Sequence, residues 1–407
     1  MNKKPNVICI HIGARAHYLI PRALQDAGLL HVLITDTWVK QSWLRKLFTK
    51  IPQTALKSLA GRYHEAIPKR KVQSFGFRFL VFELKLRLKH TYSWTSTLLR
   101  DQKFEILALQ KLKNIPDADL VLGISYTSLL CFEFAKQQGM KTVLFQIDPG
   151  FEEEERVAKL LQENRFNTTW ECAPKSYWEN WRKECALSDR IFVNSNWSKI
   201  GLIQQGIDAA KIAIIPLPFS VESKHLLFQR HYPTSFTKER PLRCLFLGTL
   251  SLRKGIHIVL EAAKQLQNIP IEFIFVGRNE LDVSEFDLPN VHYKGIVTRE
   301  QTDLEYQQAD VFLFPTFSDG FGLTQLEAMA WKLPVISTTC CGEVVEQERN
   351  GWIMEHIDAA TLSLILQRIL TEPTVLESYS TRCLERVQHF SLENFTKRLI
   401  EVIEIKN

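Results

Sequence analysis

Apolar residues along this chain gather in short unbroken runs instead of alternating with polar ones. In the first half these are "NVICIHI" (6–12), "LLHVLIT" (29–35), "DLVLGIS" (119–125), "KTVLFQI" (141–147), "DRIFVNS" (189–195) and "KIAIIP" (211–216). The second half repeats the scheme with "LRCLFLG" (242–248), "IEFIFVG" (271–277), "NVHYKGI" (290–296), "DVFLFPT" (310–316) and "LPVIST" (333–338). Runs this short and uniformly apolar predict strands buried on both faces of a parallel sheet. Stretches of helical spacing separate several of them, such as "HYLIPRALQDAG", which closes on a glycine. The alternation predicts an α/β chain of two β-α-β domains, residues 1–217 and 218–385, with 386–407 as a helix packing back on the first domain. A polar, aromatic-dotted connector, "VESKHLLFQRHYPTSFTKERP", joins the domains.

Composition narrows the classes. A hydrophobic share of 45% over 407 residues suffices for two cores and excludes overall disorder. The eight cysteines are scattered without a C-x-x-C, so neither a metal-ligand spacing nor a disulfide framework is expected, and a reduced, cytoplasmic protein fits. The apolar stretch Val7 to Ile12 is too short for a secretion-signal core, and no run approaches the ~18 apolar residues of a membrane span.

Parallel sheets bind ligands beyond the carboxyl ends of their strands, where helix N-termini present unpaired N–H groups. After "LRCLFLG" comes "TLSLRKGIHIVLEAAKQL", with Arg253 and Lys254 at the mouth of the next helix. Two cations there suit an anionic ligand, although exposed surface cations are the plain alternative. After "DVFLFPT" comes "SDGFGLTQLEAMAWKLPV". Gly320 and Gly322 permit a close backbone approach to a ligand, and Glu327 shares a helix face with Leu323. A carboxylate so placed can accept hydrogen bonds from vicinal hydroxyls, or it can simply be an acid favoured by the helix dipole.

Together, "FLGTLSLRKG", "VGRN", "ADVFLFPTFSDGFGLTQLEAMAWKLPVI" and "ERNGWIM" resemble a family 4 glycosyltransferase of the GT-B fold, over about residues 242–354. The resemblance implies two facing Rossmann-like domains and retaining transfer of a sugar from a nucleotide-diphosphate donor to a hydroxyl acceptor, glycan or lipid-linked, with no metal or other cofactor. It assigns the diphosphate to Lys254 and Arg253, the donor sugar to Asp319 and the ribose to Glu327. Backbone contacts to the donor fall on Gly320, Phe321, Gly322, Leu323 and Thr324, with Gly13, Gly248 and Gly277 at strand ends nearby.

The chain departs from the family pattern in three places. Asp319 stands where Glu is commoner, and Thr249 where an arginine often follows the strand glycine. "VLFQIDPG" offers Gln146 and Asp148 where many relatives carry a histidine, so Asp148 is the candidate acceptor-side group, a structural turn aspartate being the alternative. His11 and His17 are the titratable candidates near Gly13, which opens no dinucleotide fingerprint because G-x-G-x-x-G is absent. Two rival readings are an epimerase-type enzyme on the same architecture and a non-catalytic sugar- or membrane-binding subunit.

Net charge is +6 but uneven: Lys40 to Lys103 holds fifteen Lys/Arg against three Asp/Glu. Trp43, Phe48, Phe75, Phe77, Phe79 and Phe82 interleave these cations. That mixture predicts contact with an anionic membrane surface, with a solvated helical face as the alternative; no nucleic-acid motif accompanies it. "EEEE" at 152–155 reads as an acidic first helical turn.

Overall fold

The computed structural model describes residues 4–41, 59, 61–89, 93–164, 170–281 and 286–404. Trp43, Phe48 and much of the basic block before Leu59 lie outside the described residues.

Among the described residues, thirteen strands form two sheets, and every strand pair is parallel. The first sheet holds β1 (Val7–His11), β2 (Leu30–Thr35), β3 (Val72–Ser74), β4 (Leu120–Ile124), β5 (Lys141–Phe145), β6 (Arg190–Val193) and β7 (Ile212–Ile214), in the order β3-β2-β1-β4-β5-β6-β7. The second holds β8 (Leu242–Leu247), β9 (Ile271–Val276), β10 (Val291–Gly295), β11 (Val311–Leu313), β12 (Val335–Ser337) and β13 (Gly351–Ile353), in the order β10-β9-β8-β11-β12-β13. The eleven runs all become strands, and where both faces are covered the strand is buried at every position, as in β1, β4 and β11; the edge strand β10 is largely exposed. Chain order reverses between β1 and β4 and again between β8 and β11, and at such switch points an open parallel sheet leaves a crevice at its carboxyl edge.

Two helices settle where the chain crosses back. Thr374–Gln388 runs through the expected break at 385/386 and buries Cys383 and Val387 against Phe312 and Leu326 of the second domain. Leu392–Ile403 then buries Phe395, Leu399, Val402 and Ile403 against Ile20, Leu24 and Leu30 of the first domain. The domains touch directly, since the backbone N–H of Asn196 donates to Glu343 at 3.0 Å and Trp197 Nε1 donates to Ser318 Oγ at 3.1 Å.

The aromatic part of the basic block belongs largely to the core. Phe79 is fully buried against Phe104, and Phe75 and Phe82 pack against the same cluster; Phe77 alone of the described phenylalanines expected at a membrane is well exposed, at 75%. Two of its cations also turn inward. Arg62 pairs with the buried Asp36 at 2.6 Å, and Lys71 Nζ donates to the carbonyl of Leu30 at 2.6 Å. These side chains cover the β3 edge and one side of the helices that follow it. Among the described residues, no helix is long and apolar enough to cross a membrane.

Candidate functional site at the two switch points

The second domain supplies most of the site. Beyond β8, a single 3-10 turn, Leu252–Lys254, sets Arg253 and Lys254 before Gly255, which caps the helix Ile256–Gln265. The carbonyl of Arg253 accepts from Phe317 N at 2.8 Å and Thr316 Oγ1 at 3.2 Å, tying this turn to the loop after β11. That loop carries Asp319, whose Oδ1 accepts from Phe321 N at 3.2 Å and whose other oxygen pairs with Lys254 Nζ. Burial alone pushes the Asp319 carboxyl up, but Lys254 and Arg253 outweigh it and hold it below the usual carboxylate range. Lys254 is therefore no exposed cation: its side chain and that of Asp319 are each 17% exposed.

At Gly320 the backbones of the two domains approach closely. A Cβ there would lie 2.1 Å from the carbonyl oxygen of Ile147, beyond β5, so only glycine fits this approach. The contact brings Asp319 beside the loop that carries Asp148. Asp148 Oδ1 accepts from Tyr126 OH at 2.5 Å, Gln146 Nε2 at 2.8 Å and Gly150 N at 2.9 Å. Burial raises its pKa, with the Tyr126, Gly150 and Gln146 hydrogen bonds opposing. Gln146 is itself fully buried and accepts from Trp181 Nε1 at 2.8 Å, so it orients Asp148 from behind.

The other expected residues separate by role. Glu327 is half-buried one turn into the helix Leu323–Ala330, accepts from Tyr306 OH at 2.9 Å, and has its pKa raised by burial. Leu323 and Thr324 lie half-buried at that helix start. The Phe321 side chain is core, packed on Phe390, so only its backbone can serve a ligand. Gly248 and Gly277 lie against each other, a Cβ on Gly277 falling 1.8 Å from the Gly248 carbonyl, which makes them strand-end packing. In the first domain, Gly13 N donates to Asp36 Oδ1 at 3.2 Å. His11 is buried under the Tyr18 ring with Nδ1 3.0 Å from the Gly13 carbonyl; burial lowers its pKa to about 4. His17 is exposed in the adjoining loop, where Ala16, His17 and Tyr18 all hold left-handed φ values of 45°, 52° and 59°. Backbone strain thus collects beside the first switch point.

Three groups that the sequence does not single out complete the site. Arg62 reaches Asp36 and so braces the Gly13 loop. Arg230, from the connector, is buried with its guanidinium donating to the carbonyls of Tyr306 at 2.6 Å and Trp331 at 2.9 Å, closing the C-terminal ends of the two helices that carry Tyr306 and Glu327. Glu153 of the "EEEE" run leaves its own domain: Oε2 accepts from Ser318 Oγ at 2.8 Å. No local signal marks these residues, since the partner of each lies far along the chain.

Alongside Asp148 opens a cavity of about 380 Å³ lined from both domains, by Arg15, Trp94, Arg100, Tyr126 and Tyr177 and, across the cleft, Arg278. Ser125 also lines it, with a buried hydroxyl that has no partner among the described residues. Tyr126 and Tyr177 stack at 4.9 Å between ring centres, a flat apolar wall flanked by polar groups. Among the described residues no group of three His, Cys, Asp or Glu is placed to hold a metal ion.

Residues 241–372 match the family model described as glycosyl transferases group 1. The amylovoran biosynthesis glycosyltransferase AmsK of Erwinia amylovora is 26% identical over 227 residues, 50% of this chain and 52% of that protein. The O-antigen chain mannosyltransferase B of Escherichia coli is 29% identical over 177 residues, 40% of this chain and 45% of that one. The chain spans about half the length of the curated relatives it matches. Solved structures align over nearly the whole chain. Anabaena HepE in complex with UDP-glucose superposes with a TM-score of 0.62 at 14% identity, covering 98% of this chain and 99% of that one. Sucrose-phosphate synthase from Thermosynechococcus elongatus gives 0.64 at 18% identity, covering 98% of each. Residues 241–372 thus match the glycosyl transferases group 1 family model, in a chain that has the two-domain α/β GT-B fold throughout.

Proposed function

We propose that this chain transfers a sugar from a nucleotide-diphosphate donor to a hydroxyl acceptor, with retention of configuration. One observation carries the reading: Arg253, Lys254 and Asp319 converge at the second switch point, and Gly320 presses that cluster against the Asp148 loop of the facing domain. The donor's diphosphate lies on Lys254 and Arg253 beside the N-terminus of the helix Leu323–Ala330, displacing Asp319 from Lys254. Negative charge grows on the diphosphate as the sugar leaves, and two pre-positioned, largely buried cations stabilise it without a bound metal. Asp319, so released, holds the sugar hydroxyls, and Glu327 accepts from the ribose. HepE is described with UDP-glucose, which makes a uridine donor the first to try.

The acceptor enters the aromatic cavity beside Tyr126, and Asp148 receives the proton of its attacking hydroxyl. A carboxyl with a raised pKa suits that task, because proton transfer is most efficient when the base's pKa lies near the working pH. The glycan-building relatives, AmsK and mannosyltransferase B, support a saccharide acceptor, free or lipid-linked.

Mass spectrometry after incubation with a panel of sugar nucleotides and oligosaccharide or lipid-linked acceptors tests the reading. The expected result is an acceptor heavier by one sugar, together with free nucleoside diphosphate. Conversion of the donor to an isomeric sugar nucleotide would indicate an epimerase instead, and an unaltered panel a non-catalytic binding protein.

A further inference from the structure

The acidic run at 152–155 does not act as one patch. Glu152 faces Arg156 on its own helix at 3.8 Å, and Glu154 accepts from Ala173 N at 2.6 Å and Trp178 Nε1 at 2.8 Å within its own domain. Glu153 points the other way. Its Oε2 accepts from Ser318 Oγ at 2.8 Å and stands 3.5 Å from Arg253 Nη1, both in the second domain. Arg253 Nη1 also donates to the Ser318 carbonyl at 2.8 Å, and Trp197 Nε1 donates to Ser318 Oγ. A single carboxylate therefore fastens the helix Phe151–Glu163 to both the cationic turn and the loop leading into Asp319.

This position is costly for an acid. Burial pushes the Glu153 carboxyl up, Arg253 opposes that, and Asp148 and Asp319 add like-charge repulsion. Three acids share the cleft with two cations, and Glu153 keeps its charge there because Arg253 faces it. A diphosphate brings further negative charge to the same two cations. The diphosphate therefore competes with Glu153 for Arg253, whose Nη1 already faces both that carboxylate and the Ser318 carbonyl.

We infer that Glu153 is a positioning residue that occupies Arg253 in the empty site and yields it to the donor's diphosphate. The inference rests on the reading that Arg253 grips the diphosphate. Glu153 thereby fixes the guanidinium's place before the donor arrives, and it lowers donor affinity by the work of its own displacement. Glu153→Gln keeps an acceptor for Ser318 Oγ but gives up the charge that holds Arg253.

Calorimetric titration of the full chain with inorganic diphosphate tests this in four proteins: wild type, Glu153→Gln, Arg253→Ala and the double variant. Glu153→Gln should bind diphosphate about ten-fold tighter, the factor expected when a charge-assisted contact no longer has to be broken. In the Arg253→Ala background that gain should vanish, because the two residues act through one contact. An unchanged affinity in Glu153→Gln overturns the inference. So does a gain that persists without Arg253, which would reduce Glu153 to a long-range field. Wild-type affinity in Arg253→Ala alone would instead defeat the diphosphate reading on which the inference rests.

Discussion

Replacing Gly320 by alanine probes the junction on which the site depends. The added Cβ would sit 2.1 Å from the Ile147 carbonyl oxygen, 3.1 Å from its carbon and 3.3 Å from the Asp148 Cα. All three are backbone atoms, so no side chain can swing aside, and relieving the clash means moving the two loops apart by about 1 Å. The displaced loop carries Asp319, and through it Lys254; the loop it leaves carries Asp148. A misplacement of about 1 Å between reacting groups costs roughly 10²-fold in rate, about 2.7 kcal/mol of barrier. Each domain's core lies elsewhere, so the unfolding midpoint should fall by no more than about 4 °C, the shift that ~1 kcal/mol produces in domains of this size. The assay is release of nucleoside diphosphate from whichever sugar nucleotide the wild type turns over, paired with a thermal melt. A Gly320→Ala variant with wild-type turnover would refute the claim that the Asp319 and Asp148 loops work in contact.

Other substitutions separate the roles. Lys254→Ala should cut turnover at least ten-fold and, by leaving the Asp319 carboxylate buried beside it unpaired, also cost roughly 3 kcal/mol in a denaturant titration; a stable, fully active variant would remove Lys254 from the site. Glu327→Gln should weaken donor binding about ten-fold, and the loss should shrink for a 2′-deoxy donor, because the hydroxyl that the carboxylate serves is then already missing. Equal losses with both donors would assign Glu327 to helix stability and the Tyr306 contact instead. His11 ties stability to pH. Its pKa falls from 6.5 to about 4 in the folded chain, so the unfolded chain binds the extra proton, and up to about 3 kcal/mol is lost as pH drops from ~6.5 to ~4. Urea titrations across that window should show a shallower slope for His11→Gln; an unchanged slope would place the titration elsewhere.

The eleven strand runs were legible because most of them read as continuous apolar residues, as strands buried on both faces of a parallel sheet do. β3 and β13 were not: each is a three-residue edge strand, and "VQS" and "GWI" carry too little pattern to stand out. Arg253, Lys254 and Asp319 could be found because each follows a strand end at a fixed short distance, where the fold itself places ligands. Glu153 could not, since its partner Ser318 lies 165 residues away and the surrounding "EEEE" is indistinguishable from an ordinary acidic helix start. The same blindness affected the basic block, where the inward turn of Phe79 and Arg62 depends on a hydrophobic cluster and on Asp36, neither visible locally. The partner of Lys254 was hidden for the same reason: the sequence shows a cation near a helix, and only the folded loop supplies the Asp319 carboxylate.

A crystal structure of the wild-type chain grown with a nucleoside diphosphate, UDP first, puts the central claim to the most direct test. The account expects the diphosphate on Lys254 and Arg253, the Lys254–Asp319 and Arg253–Glu153 pairs opened, and the ribose hydroxyls on Glu327. A nucleotide bound elsewhere, with Lys254 still paired to Asp319, would contradict it.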